Sequence, residues 1–275
     1  MDVRNIFRLV GECAELGDDP VLWRTHFGAG LGRLAAAGWT LVAEMAIRAG
    51  RPRQDLGTTV WGWENGFDLQ GWLEMLTAFR GDPLYNPLIN AYVARLQTDP
   101  DAGLTRADLI PDREWYPSDY FQGPHRAMGA DATLACFVPV PGAAGEYCDV
   151  FLARRLGEPD FSARDRVVVR ETMREITPLV GGKLTRFSDP APGQLPPRAR
   201  QVLRSLLEGD SDKQIVARLG ITRNTVNHYA KAIFTHFGVR SRAELAARWI
   251  RRGWGDRFAW ADDRGPRGFG RGQND

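Results

Sequence analysis

Val3, Ile6, Phe7, Val10, Cys13 and Ala14 recur three and four residues apart, a period that predicts a helix at the start of the chain. A second helix begins at Asp19-Pro20, a cap followed by proline in the first turn, and carries Leu22, Trp23, Phe27, Leu31 and Leu34. The period then changes to two. Leu41, Ala43, Met45 and Ile47 alternate with less apolar neighbours and predict a strand, and Thr58–Trp63 predicts another. Helices are expected near Leu69–Phe79 and Pro87–Leu96, then a loop-rich stretch over Thr98–Pro117 and a helix over Ser118–Met128. Thr133–Val140 and Tyr147–Arg155 make a hairpin around the sequence PGAAGE. A long helix follows, capped by Ser162 with Asp165 in its first turn. Val168, Val169, Met173 and Ile176 form its apolar stripe, and Pro178 ends or kinks it.

This order predicts an α+β domain over residues 1–186, an antiparallel sheet with flanking helices. The run FSDPAPGQLPP holds four prolines and places a linker at residues 187–194. The tail, residues 254–275, is rich in Gly, Arg and Asp and is expected to be disordered.

From Leu195 to Gly253 the pattern predicts four helices and no strand. Ala199, Val202, Leu203 and Leu206 form the inner side of the first, which Gly209 ends. Ser211 and Gln214 make a capping box for a short helix that stops at Gly220. A four-residue turn containing Gly220 leads to Thr222, the cap of a longer helix over residues 223–237, with Ile221 and Val226 placed to pack as a staple. Ser241 and Glu244 make a second box for the last helix. Short helix, tight turn and longer helix is helix–turn–helix spacing. The outer face of the long helix carries Arg223, Asn224, Asn227, His228, Lys231 and Thr235, polar residues that fit a major groove. Lys213, at the start of the helix before it, is placed for a phosphate.

The stretch LPPRARQVLRSLLEGDSDKQIVARLGITRNTVNHYAKAIFTHFGVRSRAELAARWI resembles the LuxR-type (NarL/FixJ-type) helix–turn–helix domain. The matching residues include Leu203, Gly209, Gln214-Ile215-Val216, Leu219-Gly220-Ile221, Thr225-Val226, Phe237-Gly238-Val239 and Ser241 to Leu245. The resemblance implies a transcriptional regulator that binds double-stranded DNA as a homodimer, with RNA polymerase among its partners. It gives base- and phosphate-contacting roles to Asn227, His228 and Lys231 and a backbone contact to Lys213, with Arg223, Asn224 and Thr225 completing the contacting set. The chain departs from the family at Pro196 and Ala199, where Thr and Glu are usual, at Asn227 in place of Lys, and at Tyr229 in place of His. The competing reading is an adaptor that keeps the fold without reading DNA.

Charge sharpens this division. Residues 195–253 hold twelve Arg or Lys against four Asp or Glu, while residues 1–194 hold twenty against twenty-six. A basic module joined to an acidic one suits a polyanion as partner of the first. Cys13, Cys136 and Cys148 are far apart and odd in number, which suits a reducing cytoplasm and argues against a disulfide framework or structural zinc. The start of the chain carries Asp2, Glu12, Glu15, Asp18 and Asp19, unlike a secretory leader, and no run is long enough to span a membrane. A cytoplasmic protein is expected, with no membrane partner.

The N-terminal half holds six of the nine tryptophans. Trp61, Trp63, Trp115 and Tyr120 are candidates for the wall of an apolar pocket with an unknown small-molecule ligand, and core packing is the blander reading of the same residues. The element order resembles a GAF/PAS-like sensor, and admits the autoinducer-binding domain of LuxR proteins. A receiver domain would need acidic residues at strand ends, whereas Asp18-Asp19 lies between two helices. Gly28–Gly32 (GAGLG) lies inside a helical pattern with no strand before it, so close helix packing explains it better than a dinucleotide loop. Asp112, Glu114 and Asp119 read as a solvated acidic loop. No catalytic residue, metal site or cofactor is expected.

Overall fold

A computed structural model of the chain describes residues 3–48, 51–81, 85–96, 98–99 and 102–252, without the side chains of residues 79–81. The tail expected to be disordered, 254–275, lies outside the described residues, as does Gly253. No helix among the described residues is long and apolar enough to cross a membrane.

The N-terminal domain opens with α1 (Val3–Glu15) and α2 (Pro20–Leu34). Asp19 caps α2 by accepting hydrogen bonds from the backbone of Val21 (2.8 Å) and Leu22 (3.1 Å). Five strands follow in one antiparallel sheet of order β2-β1-β5-β4-β3: β1 (Trp39–Ala46), β2 (Gln54–Trp61), β3 (Leu104–Thr105), β4 (Ala130–Pro139) and β5 (Glu146–Arg155). Between β2 and β3 lie α3 (Leu69–Gly81) and α4 (Pro87–Leu96). Between β3 and β4 come α5 (Arg106–Leu109), α6 (Asp112–Trp115), a wide π-type turn at Phe121–His125 and α7 (Arg126–Met128). The long helix α8 (Ala163–Ile176) ends in a tight turn, Thr177–Leu179, where Pro178 stops it.

Helices cover both faces of the sheet, so β1 is buried along its whole length. On one face Leu9, Trp23, Phe27, Leu31, Val42, Val150, Val169 and Met173 join α1, α2 and α8 to the strands. On the other, Trp39, Leu41, Ala43, Trp72, Met75, Trp115 and Tyr120 pack against α3 and the segments before β4. The glycines of α2 are a packing device. A Cβ on Gly30 would lie 2.3 Å from Leu9, and one on Gly32 would lie 2.7 Å from the Trp61 ring, so α2 sits closer to α1 and β2 than alanine allows.

The loop-rich stretch Thr98–Pro117 holds the short elements β3, α5 and α6, with Thr105 and Asp108 forming a capping box. Asp112 of the expected acidic loop pairs with Arg106. The less apolar residues that alternate with Leu41, Ala43 and Met45 in β1 are buried as well, Thr40 and Glu44 among them.

The C-terminal domain is α9 (Pro197–Leu207), α10 (Asp212–Leu219), α11 (Arg223–His236) and α12 (Arg242–Arg252), around Val202, Leu203, Leu206, Ile215, Val226, Ile233, Phe237, Leu245 and Trp249. The stretch before it ends in a short turn, Pro192–Gln194, with Ala191 buried. His236 donates to the carbonyl of Ala191 (2.9 Å) and Arg252 pairs with Asp189 (2.9 Å).

Candidate nucleic-acid interface and buried cavity

Local chemistry fixes the geometry of α10 and α11. The Gln214 side chain accepts from the backbone N–H of Ser211 at 2.8 Å and so closes the start of α10. Gly220 ends α10 in the left-handed conformation (φ +64°), where a Cβ would be strained. The turn is three residues, Gly220–Thr222, one fewer than expected. Thr222 caps α11 by accepting from the Thr225 backbone at 3.2 Å. Phe237 is the C-cap of α11 rather than its last residue. The second expected box is half formed: Ser241 accepts from Glu244 N–H, but Glu244 reaches the backbone of Arg240.

Burying Val226 and Ile233 turns the opposite face of α11 outward. Arg223, Asn224, Asn227, His228, Lys231 and Thr235 are all exposed, as is Lys213 on α10. Thr225 is half-buried and its hydroxyl is engaged with Thr222 (2.8 Å), so it contributes to the cap. None of the four carboxylates of this domain is on α11, and all are occupied. Glu208 pairs with Arg204 (2.8 Å) and Arg218, Asp210 with Arg218 (2.8 Å), Asp212 with Arg242 (3.0 Å), and Glu244 with the Arg240 backbone. Hydrogen bonds, first from Arg204 and then from Arg218, hold the Glu208 carboxyl below its usual range. Among the described residues no carboxylate pairs with Lys213, Arg223 or Lys231. Lys213, Arg223 and Lys231 therefore put uncompensated positive charge on α11 and the start of α10, exposed to a polyanion.

The second feature is a cavity of about 70 Å³ between the sheet and the segments that cover it, lined chiefly by Trp39, Leu41, Trp72, Met75, Leu88, Tyr120 and Phe151. At roughly 10–15 Å³ for one water, that space admits a small ring or a short chain. Of the four residues expected to line such a pocket, Tyr120 does. Trp115 is fully buried behind it, its ring 5.9 Å from that of Tyr120. Trp63 packs outside Trp39 (5.9 Å) and Trp72 (6.5 Å). Trp61 pairs with Thr40 and points to α2 on the other face.

Sequence reading missed Asp149 and His125. Asp149 lies on β5 opposite Ala43 and Phe137, is fully buried, lines the cavity, and has no partner on either carboxylate oxygen. Burial, and then the negative charge of Asp55, raise its pKa to about 8. A signal was present, since Tyr147, Asp149, Phe151 and Ala153 share a face by the two-residue period, and an acid interrupts an apolar row. His125 is buried and its pKa is pushed down to about 4, chiefly by burial.

A family model described as bacterial regulatory proteins of the luxR family matches residues 193–249. Residues 193–249 form a LuxR-family domain. A probable HTH-type transcriptional regulator, GfsR of Streptomyces halstedii, is 31% identical over 84 residues, covering 30% of this chain and 35% of that protein. The chain thus matches about a third of the length of this relative. Among solved structures, Escherichia coli SdiA is similar at a TM-score of 0.36 and 15% identity, over 82% of this chain and 87% of that one. The VqsR ligand-binding domain of Pseudomonas aeruginosa is similar at a TM-score of 0.40 and 17% identity, over 62% and 94%. Within the LuxR-family domain, the side chains on the outer face of α11 are those that the helix–turn–helix spacing singled out, and Tyr229 is half-buried against the core.

The Asp149 carboxyl has a consequence for stability. Its pKa is about 8 in the folded chain and near 3.8 when exposed, so the unfolded chain loses this proton first as pH rises. Stability then falls from about pH 4 to about pH 8 and is unaffected by this group above that. Asp149→Asn removes the effect. The variant is expected to melt above the parent at pH 8, by a few kcal/mol at about 1.4 kcal/mol per pKa unit, with the gap closing toward pH 4. Thermal melts across that range check this, and a gap independent of pH contradicts it.

Proposed function

We propose that the chain is a transcriptional regulator that binds specific DNA through its LuxR-family domain and is controlled by its N-terminal domain. In this reading α11 lies in the major groove. Asn227, His228 and Lys231 reach base edges or the adjoining phosphates, and Arg223, Asn224 and Lys213 fix the register on the backbone. Two copies read two half-sites, the usual arrangement for helix–turn–helix proteins, and RNA polymerase is the expected partner at the promoter. The observation that carries the reading is the exposed polar face of α11, with Lys213, Arg223 and Lys231 unpaired beside it, in a domain whose carboxylates are engaged elsewhere. The cavity over the sheet supports the second part. It is apolar, enclosed by aromatic side chains and supplied with a few polar atoms, which is the make-up of a small-molecule site.

The test of DNA binding is its salt dependence. Each phosphate contact releases counterions, so log K for a bound duplex should fall steeply and linearly with log salt. Lys213→Ala should weaken binding about equally on all sequences and make that slope shallower by roughly one. Absence of duplex binding at low salt would overturn the reading, and an unchanged slope would remove Lys213 from the interface.

A further inference from the structure

The polar atoms around the cavity are unevenly matched. Both oxygens of Asp149 are buried without partners, and so is Nδ1 of His125. The other nitrogen of that ring donates to the backbone of Ala130, and the depressed pKa keeps the imidazole neutral, so Nδ1 is an acceptor. Against these stand, in the lining, the buried indole N–H of Trp39, which has no partner, and the side-chain amide of Asn86. Tyr120 already donates its hydroxyl to Met75 sulfur (3.0 Å). A second carboxylate, Asp55 of β2, also lines the cavity, and among the described residues no Lys or Arg does. A site with an unpaired buried carboxyl among aromatic walls complements a donor-bearing cation with an apolar body, which the carboxyl meets by giving up its proton.

We propose that the cavity takes a small apolar molecule carrying a protonated amine, whose ammonium group pairs with Asp149 while its body lies among Trp39, Trp72 and Met75. The proposal rests on reading the cavity as the ligand site of the N-terminal domain. It explains why an acid stands in an apolar row of β5 with no hydrogen-bond partner on either oxygen. The groups that face Asp149 are Asp55 from β2, Tyr120 and His125 from the segments over the sheet, and Arg24 and Cys148 from behind it. In the empty cavity the carboxyl is mostly protonated at neutral pH. Pairing with an ammonium ion therefore releases its proton to solvent, and amine affinity should rise with pH up to about 8, the pKa of Asp149.

The experiment is a fluorescence titration of the full chain with 2-phenylethylamine and with 2-phenylethanol, which has nearly the same shape and no charge. Trp39 and Trp72 report occupancy, with a shift in melting temperature as a second readout. The amine is expected to bind about tenfold or more tightly than the alcohol, a preference that Asp149→Asn removes while leaving alcohol binding intact. Because this variant fills the same volume, retained alcohol binding shows that its cavity is still formed. Equal binding of the two compounds, or a preference that survives in Asp149→Asn, overturns the amine and leaves the ligand site standing. Binding of neither overturns both together.

Discussion

Arg24→Met should destabilise the N-terminal domain by about 3–5 kcal/mol, the largest single effect expected outside its apolar core. Arg24 on α2 and Glu44 on β1 are an ion pair with both side chains out of contact with water. Arg24 is further held by the carbonyls of Pro20 (2.9 Å) and Thr185 (3.1 Å), and its guanidinium lies 4.0 Å from the Trp23 ring and 4.1 Å from the Phe187 ring. Removing the cation leaves Glu44 with Arg186 alone, at 3.6 Å. The cost arises because a buried carboxylate has lost its counter-charge, not because the pair itself is strongly stabilising. Arg24→Met combined with Glu44→Met should therefore recover much of the loss. Urea unfolding followed by tryptophan fluorescence checks both variants, and a single variant within 1 kcal/mol of the parent contradicts the account. Glu44 sits on the strand whose other face lines the cavity, while Thr185 and Phe187 lead into the stretch before the DNA-binding domain, so Arg24 ties the sheet to the start of the linker.

The second large effect is expected at α11. Lys231 lies two turns beyond Arg223 and one beyond Asn227, on the same exposed side of the helix. Lys231→Ala should weaken specific binding by about 1–3 kcal/mol if the ammonium reaches a base edge, and should then relax selection at that position. If it reaches only phosphate, the loss should be similar on all duplexes and accompanied by a shallower salt slope. Titration of a selected site and a scrambled one, at two salt concentrations, separates the cases. The side chain is solvent-exposed and supports no part of the core, so lost binding would not reflect lost folding.

The two halves of the chain differ in how much their sequences disclosed, for a physical reason. In the C-terminal domain every signal is local: a cap at Thr222, a glycine at the left-handed position 220, an apolar stripe at helical spacing. Each acts within a few residues, so the helices and the exposed face of α11 were legible without knowing what lies across the fold. In the sheet the deciding information is non-local. Trp61 and Trp39 are both strand aromatics, and only the register that sets Trp61 against Thr40 sends one to α2 and leaves the other over the cavity. β3 is two residues long, too short to show a period, although the capping box at Thr105 and Asp108 beside it was readable. Glu44 is one of the less apolar residues that alternate with Leu41, Ala43 and Met45 along β1. Its burial depends on Arg24, twenty residues earlier, which nothing in the local pattern connects to it.

Selection of bound sites from random duplex DNA, with the full 275-residue chain at near-physiological salt, tests the central claim most directly. The account predicts an enriched motif, two half-sites in inverted order, and loss or relaxation of that motif in Lys231→Ala. Enrichment by residues 190–275 but not by the whole chain would agree with a DNA-binding face held in check by the N-terminal domain. No enrichment with either would contradict the account.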